Sequence, residues 1–239
     1  MSSFGGSILD LAVSMKDVMG ALAVLIAIAA YGIYVWKTVR GDARPHPLSW
    51  LIFGVLTGTG YLVQLDQKAG PGSWVMAITT LVCLMLCVMS FWRGERTFPW
   101  YEWAFLGAAI AVFAFYLWSR NPELIGDVVS GTPRDLLIHH APAISSTLAA
   151  FVNVLGFGPT VTKAWLRPHS DSVSIFVLNS LKFVPSFFAL DNISVATCVF
   201  PATLVIANAG VALIIYLRRQ QVTWRGNSSS SQATCTDPR

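Results

Sequence analysis

The chain has 239 residues, of which 54% are hydrophobic and only 12% charged, about half the charged share of a soluble domain. So few charges cannot solvate the outside of a water-borne fold whose mean hydropathy is +0.60, which excludes a soluble globular protein and leaves lipid as the solvent. The 16 Lys and Arg exceed the 12 Asp and Glu by only four, too small an excess to argue for nucleic acid.

Residues 1–17, with Ile8, Leu9, Leu11, Val13 and Met15, are expected to lie in the membrane interface as a short helix. A spanning helix needs about 20 mostly apolar residues. Seven runs approach or meet that length, at 18–36, 48–65, 73–92, 101–118, 141–160, 173–190 and 196–217. They lack strand alternation, so the expected class is all-α membrane with seven transmembrane helices. Ala27-Ile28-Ala29 has the look of a signal-peptide cleavage site, but Asp10 and Asp17 make a poor leader. Trp100, Tyr101 and Trp103 at one end of the fourth run, and Tyr116 and Trp118 at the other, read as interfacial belts. Residues 218–239 carry four consecutive serines and are expected to be a disordered tail. Cys83, Cys87, Cys198 and Cys235 follow no disulfide or metal spacing.

The connections alternate in charge. One set carries Lys37, Arg40 and Arg44, then Arg93 and Arg96, then Lys163 and Arg167, then Arg218, Arg219 and Arg225. The other set is balanced or poor in cations, ending on Asp191 alone. The positive-inside rule then puts the N-terminus outside and the C-terminus in the cytoplasm.

At a shift of 123 residues the segment Arg44-Pro45-His46-Pro47-Leu48-Ser49-Trp50-Leu51-Ile52-Phe53 lies over Arg167-Pro168-His169-Ser170-Asp171-Ser172-Val173-Ser174-Ile175-Phe176, identical at six of ten positions. The same shift lays the first three runs over the last three. Two three-helix repeats, 18–92 and 141–217, are therefore expected, joined by a linker helix and outer loop within 93–140. The unpaired fourth helix makes the repeats parallel, a plan associated with transporters that bind solute near the midplane. Ser49 and Ser172 are expected to cap the helices that follow the repeated turns.

This 3+1+3 layout, with its basic turn after the first helix of each unit, resembles the SWEET/PQ-loop (MtN3-type) superfamily of small-solute transporters over residues 18–220. Nicotinamide-riboside carriers share the general architecture. Gly41 to Trp50 and Gly158 to Lys163 also resemble a group of uncharacterised bacterial membrane proteins, which implies a bacterial inner (plasma) membrane. No Pro-Gln pair occurs, and Trp36 stands opposite Pro159. The resemblance implies a pocket with an asparagine on the last helix of a unit and a tryptophan on the middle one, which Asn208 and Trp50 match, while Val173 stands in place of a second tryptophan.

Polar groups within lipid-facing runs are costly and point to function. Lys182 is the only charge deep in a run, and Asn153, Asn179 and Asn208 fall one in each helix of the second repeat. Their counterparts are Thr59, Ala30, Leu56 and Met85, so the polarity is confined to one half. Lys182 suits a carboxylate or phosphate and the amides suit hydrogen-bonding groups of a solute. Interhelical glue for the amides, and snorkelling or carbonyl binding for Lys182, are the structural alternatives. Thr57, Thr59, Tyr61 and Gln64 form a polar stripe facing a pathway. No acidic residue lies at mid-depth, and no nucleophile–base arrangement or metal-ligand spacing is present. The expectation is a facilitative transporter of a small polar or anionic solute, not an enzyme, with no cofactor or metal. Its partners are the lipid bilayer and the solute, with room for a homo-oligomer. The alternative is a scaffold or sensor that has kept the fold.

Overall fold

In the computed structural model, residues 2–94, 100–121, 132–166, 168 and 173–233 are described, and among them only helices and their connections occur. The helices are α1 (Ser2–Arg40), α2 (Pro47–Asp66), α3 (Trp74–Arg93), α4 (Trp100–Ser119), α5 (Thr132–Gly156), α6 (Gly158–Leu166), α7 (Val173–Leu181), α8 (Phe183–Phe188) and α9 (Val195–Ala233), with a 3-10 turn at Gly70–Ser73 before α3.

Six of these stretches are long and apolar enough to cross a membrane: Met15–Arg40, Pro47–Asp66, Gly70–Arg93, Trp100–Ser119, Ile138–Leu166 and Val195–Gln221. Their outward faces suit lipid. On α1, Leu22, Leu25, Ile28 and Ile33 are exposed, while Ala23, Ala27 and Ala30 are fully buried one turn apart. Small residues on the inner face let neighbouring helices approach closely where lipid gives no hydrophobic drive for association.

Several expectations are corrected. The expected run at 173–190 is a shorter apolar stretch, Val173–Phe188, broken between α7 and α8 at Lys182. At 1.5 Å per residue it spans about 24 Å, less than the roughly 30 Å hydrocarbon core. The break has a local cause, because Pro185 offers no N–H to the carbonyl of Leu181. The pair still joins the two ends of the bundle. Arg219 Nε donates to Pro168 O just before α7, and Asp191 N, just after α8, donates to Ala69 O beyond the far end of α2.

Residues 2–17 are part of α1 and not a separate interfacial piece, since no proline interrupts Ser2–Arg40. The tail expected to be disordered is helical to Ala233. Extending an existing helix adds a hydrogen bond per residue without a new nucleus. Ser49 is not an N-cap: α2 starts at Pro47 with His46 in the cap position. Proline at the first helical position sets that boundary, and Ser49 falls inside the first turn. Ser172 lies outside the described residues.

Packing sets the helix order. The helix α3 packs on both α1 and α2, and α9 packs on α5, α6 and α7. These two groups meet where α1 touches α7 and α8, and where α2 touches α5. Between them α4 contacts α2 and α5.

Candidate functional site

Tyr31, Thr57, Cys83, Asn153, Lys182 and Asn208 each fall near the middle of their apolar stretches, and all line one cavity of about 310 Å³. Trp50 and Asn179, the other two residues expected at a site, line it as well. The cavity extends from buried Lys182 and Phe183 to exposed Arg44 in the α1–α2 connection, passing His46 and Ser49.

Lys182 is only 1% exposed. Its Nζ donates to Tyr31 Oη at 2.6 Å and to Asn179 Oδ1 at 3.1 Å, and lies 4.1 Å from the Tyr31 ring centroid and 4.9 Å from that of Phe183. Ring faces attract a cation. Lys182 therefore neither snorkels to the interface nor binds helix carbonyls. Among the described residues, the third N–H of its ammonium form has no acceptor, and no Asp or Glu lines the cavity.

The asparagines differ. Asn208 Nδ2 donates to Leu204 O of its own helix at 2.8 Å, which leaves its carbonyl oxygen for other partners. Asn153 is 1% exposed, and neither Nδ2 nor Oδ1 has a hydrogen-bond partner among the described residues. Neither therefore supplies the expected interhelical amide bond.

Of the expected stripe on α2, only Thr57 lines the cavity. Its Oγ1 donates to Phe53 O at 2.7 Å and accepts from Thr80 Oγ1 at 3.2 Å. Thr59 donates to Val55 O of its own helix, and Gln64 Nε2 donates to Thr197 O at 2.8 Å.

Aromatic rings form one wall: Tyr34 to Trp50 is 5.2 Å between centroids, Trp50 to Phe53 6.2 Å and Phe53 to Phe157 5.8 Å. Ile175 and Phe176 line the cavity from the start of α7, while Val173, which stands opposite Trp50 at the shift of 123, does not. Sequence reasoning missed Tyr31, Tyr34, Thr79 and Cys83. The spacing of the two tyrosines, one helical turn apart, was the available signal. It also missed Glu102, whose Oε2 lies 2.9 Å from His46 Nδ1 beside the mouth. His169, the counterpart of His46, lies outside the described residues.

At the opposite end of the bundle, ion pairs and hydrogen bonds join segments far apart in the chain. Lys16 Nζ pairs with Asp191 Oδ1 at 2.8 Å, and Arg120 Nη2 with Asp66 Oδ1 at 3.1 Å. Tyr116 Oη donates to Asp66 Oδ2, Gly72 N donates to Ala189 O at 3.0 Å, and Asn192 Nδ2 donates to Gln67 O at 2.8 Å. Comparison with protein-family profiles, with characterised proteins and with solved structures finds no match.

Proposed function

We propose that the protein is a facilitative carrier of a small polar or anionic solute, working by alternating access between two parallel three-helix repeats. The repeats are α1 to α3 and α5 to α9, with α4 as linker, and α7 with α8 makes a seventh, broken crossing. The N-terminus is outside and the C-terminus cytoplasmic, in keeping with a SWEET/PQ-loop-like plan.

The observation that carries this reading is the mid-depth polar floor shared by both trios: Tyr31, Thr57 and Cys83 from one, and Asn153, Lys182 and Asn208 from the other. A scaffold gains nothing from lining a cavity with a buried amide and a lysine whose hydrogen-bonding groups the described residues leave partly unmatched, because both destabilise the fold. The packing supports the repeat, since in each trio the third helix lies between the first and second. The first helix of each trio also meets the second helix of the other. Access from the Arg44 side alone, with ion pairs across the other end, describes one of the two states that such a carrier exchanges.

The test is flux into proteoliposomes of a solute found by thermal-shift screening of metabolite pools. Lys182→Ala and Asn208→Ala each reduce that flux at least tenfold if the floor binds the solute, on the order expected for losing a charge-assisted or buried hydrogen bond. Full flux in both variants removes the proposed site.

A further inference from the structure

We infer that the solute seated on Lys182 is a small monocarboxylate with a flat, mostly apolar body and one hydroxyl or carbonyl group, a proposal that rests on the carrier reading of this cavity. Charge sets the first part. Lys182 is buried and has a free N–H among the described residues, and the cavity lining supplies no carboxylate to balance it. A low-dielectric interior without a counter-ion opposes the ammonium form, so an entering anion binds together with the proton that charges Lys182. One deep cation matches one negative charge. A phosphate monoester brings nearly two at neutral pH and leaves charge unmatched. An amino acid brings an ammonium group that finds no acidic partner in the lining. Arg44, exposed at the mouth, draws anions in without entering the floor.

The walls set the rest. Tyr34, Trp50, Phe53 and Phe157 form a run of rings whose successive planes turn by 53°, 80° and 45°, so that one flat ring of the solute stacks on one face and meets the edge of the next. Against such a wall the hydroxyls of a sugar would lose water without replacement. Asn153 presents one unpaired donor and one unpaired acceptor, each buried, and a single hydroxyl or carbonyl group on the solute engages one of them.

Calorimetric titration of the full-length protein in nanodiscs tests this with benzoate, phenyllactate, benzamide, phenylalanine, glucose and inorganic phosphate. Benzoate and phenyllactate are expected to bind, and benzamide about tenfold or more weaker than benzoate, as for loss of a charge-assisted hydrogen bond. Phenylalanine, glucose and phosphate are expected not to bind. Lys182→Gln should erase the preference for benzoate over benzamide and Lys182→Arg should keep it. Asn153→Leu should weaken phenyllactate and spare benzoate. Equal binding of benzoate and benzamide, preferential binding of phosphate or glucose, or no binding of any carboxylate overturns the proposal. If Lys182→Gln does not fold, the benzoate to benzamide ratio of the unmodified protein decides alone. Carboxylate binding without flux in proteoliposomes overturns the carrier reading and leaves this one standing. Flux of a neutral solute without carboxylate binding does the reverse.

Discussion

Pro201 has no N–H to offer the carbonyl of Thr197 one turn earlier, and Gln64 Nε2 reaches across from α2 to donate to that oxygen at 2.8 Å. In lipid no water is available to repair the gap, so the side chain of a neighbouring helix does it. Gln64→Leu is expected to destabilise the protein by about 0.5–1.5 kcal/mol. In a Pro201→Ala background the helix closes its own bond and the same change should cost less. Unfolding midpoints of the four proteins in detergent check this, and strict additivity would refute the repair. Gln64 was legible in the sequence as a polar residue in an apolar run, but its role was not. A stripe read along one helix says nothing about which backbone groups a proline 137 positions later leaves open. The same holds for Lys182, conspicuous by its charge, and Tyr31, one ring among many until the fold sets its hydroxyl 2.6 Å from Nζ.

The second trio is broken where the first is continuous. Phe157 separates α5 from α6 and Lys182 separates α7 from α8, and both breaks line the cavity. Irregular backbone at membrane depth is tolerated where it faces protein or a cavity. Pro185 was visible in the sequence as a residue that kinks its helix, and the boundaries at 47–66 and 74–93 followed closely from apolar length. The break at Lys182 was not visible, because composition measures apolar length and not the backbone hydrogen bond that a proline three residues later removes. If the break at Lys182 is a hinge, Pro185→Ala gives the carbonyl of Leu181 its missing donor and joins α7 to α8. Solute binding should then persist while flux falls severalfold, and amide exchange around residues 181–185 should slow. Unchanged flux with slowed exchange would make the proline a packing feature only.

At the scale of the molecule, closure of one end rests on contacts between segments far apart in the chain. Lys16 and Asp191 lie 175 positions apart, and Asp66 gathers Arg120 and Tyr116. The alternation of charge along the connections suggested two faces from sequence, but Asp66, Arg120 and Asp191 read there as loop charges, Lys16 as part of the N-terminal segment and Tyr116 as a ring of the interfacial belt. Only folding shows Lys16 paired with Asp191 beyond α8, and Asp66 held by the end of α4. Such pairs are weak by design: Lys16 and Asp191 are 35% and 49% exposed, and a pair of this kind contributes under about 1 kcal/mol. That is the range a switching gate needs, since a closure held by many times that energy would not reopen at a useful rate. Thr160 lines the cavity and is half-buried, so Thr160→Cys serves as a reporter in a protein whose native cysteines are replaced by serine. A charged methanethiosulfonate reagent should modify it from the Arg44 side and be excluded from the Asp191 side. Asp191→Asn should raise the rate from the Asp191 side by no more than about fivefold, as expected for one exposed pair. Adding Asp66→Asn should raise it further, and raised ionic strength should mimic the single change in the unmodified gate. Equal modification from both faces before any substitution would mean that the end crossed by these pairs is not closed, and the two-state reading would fail with it.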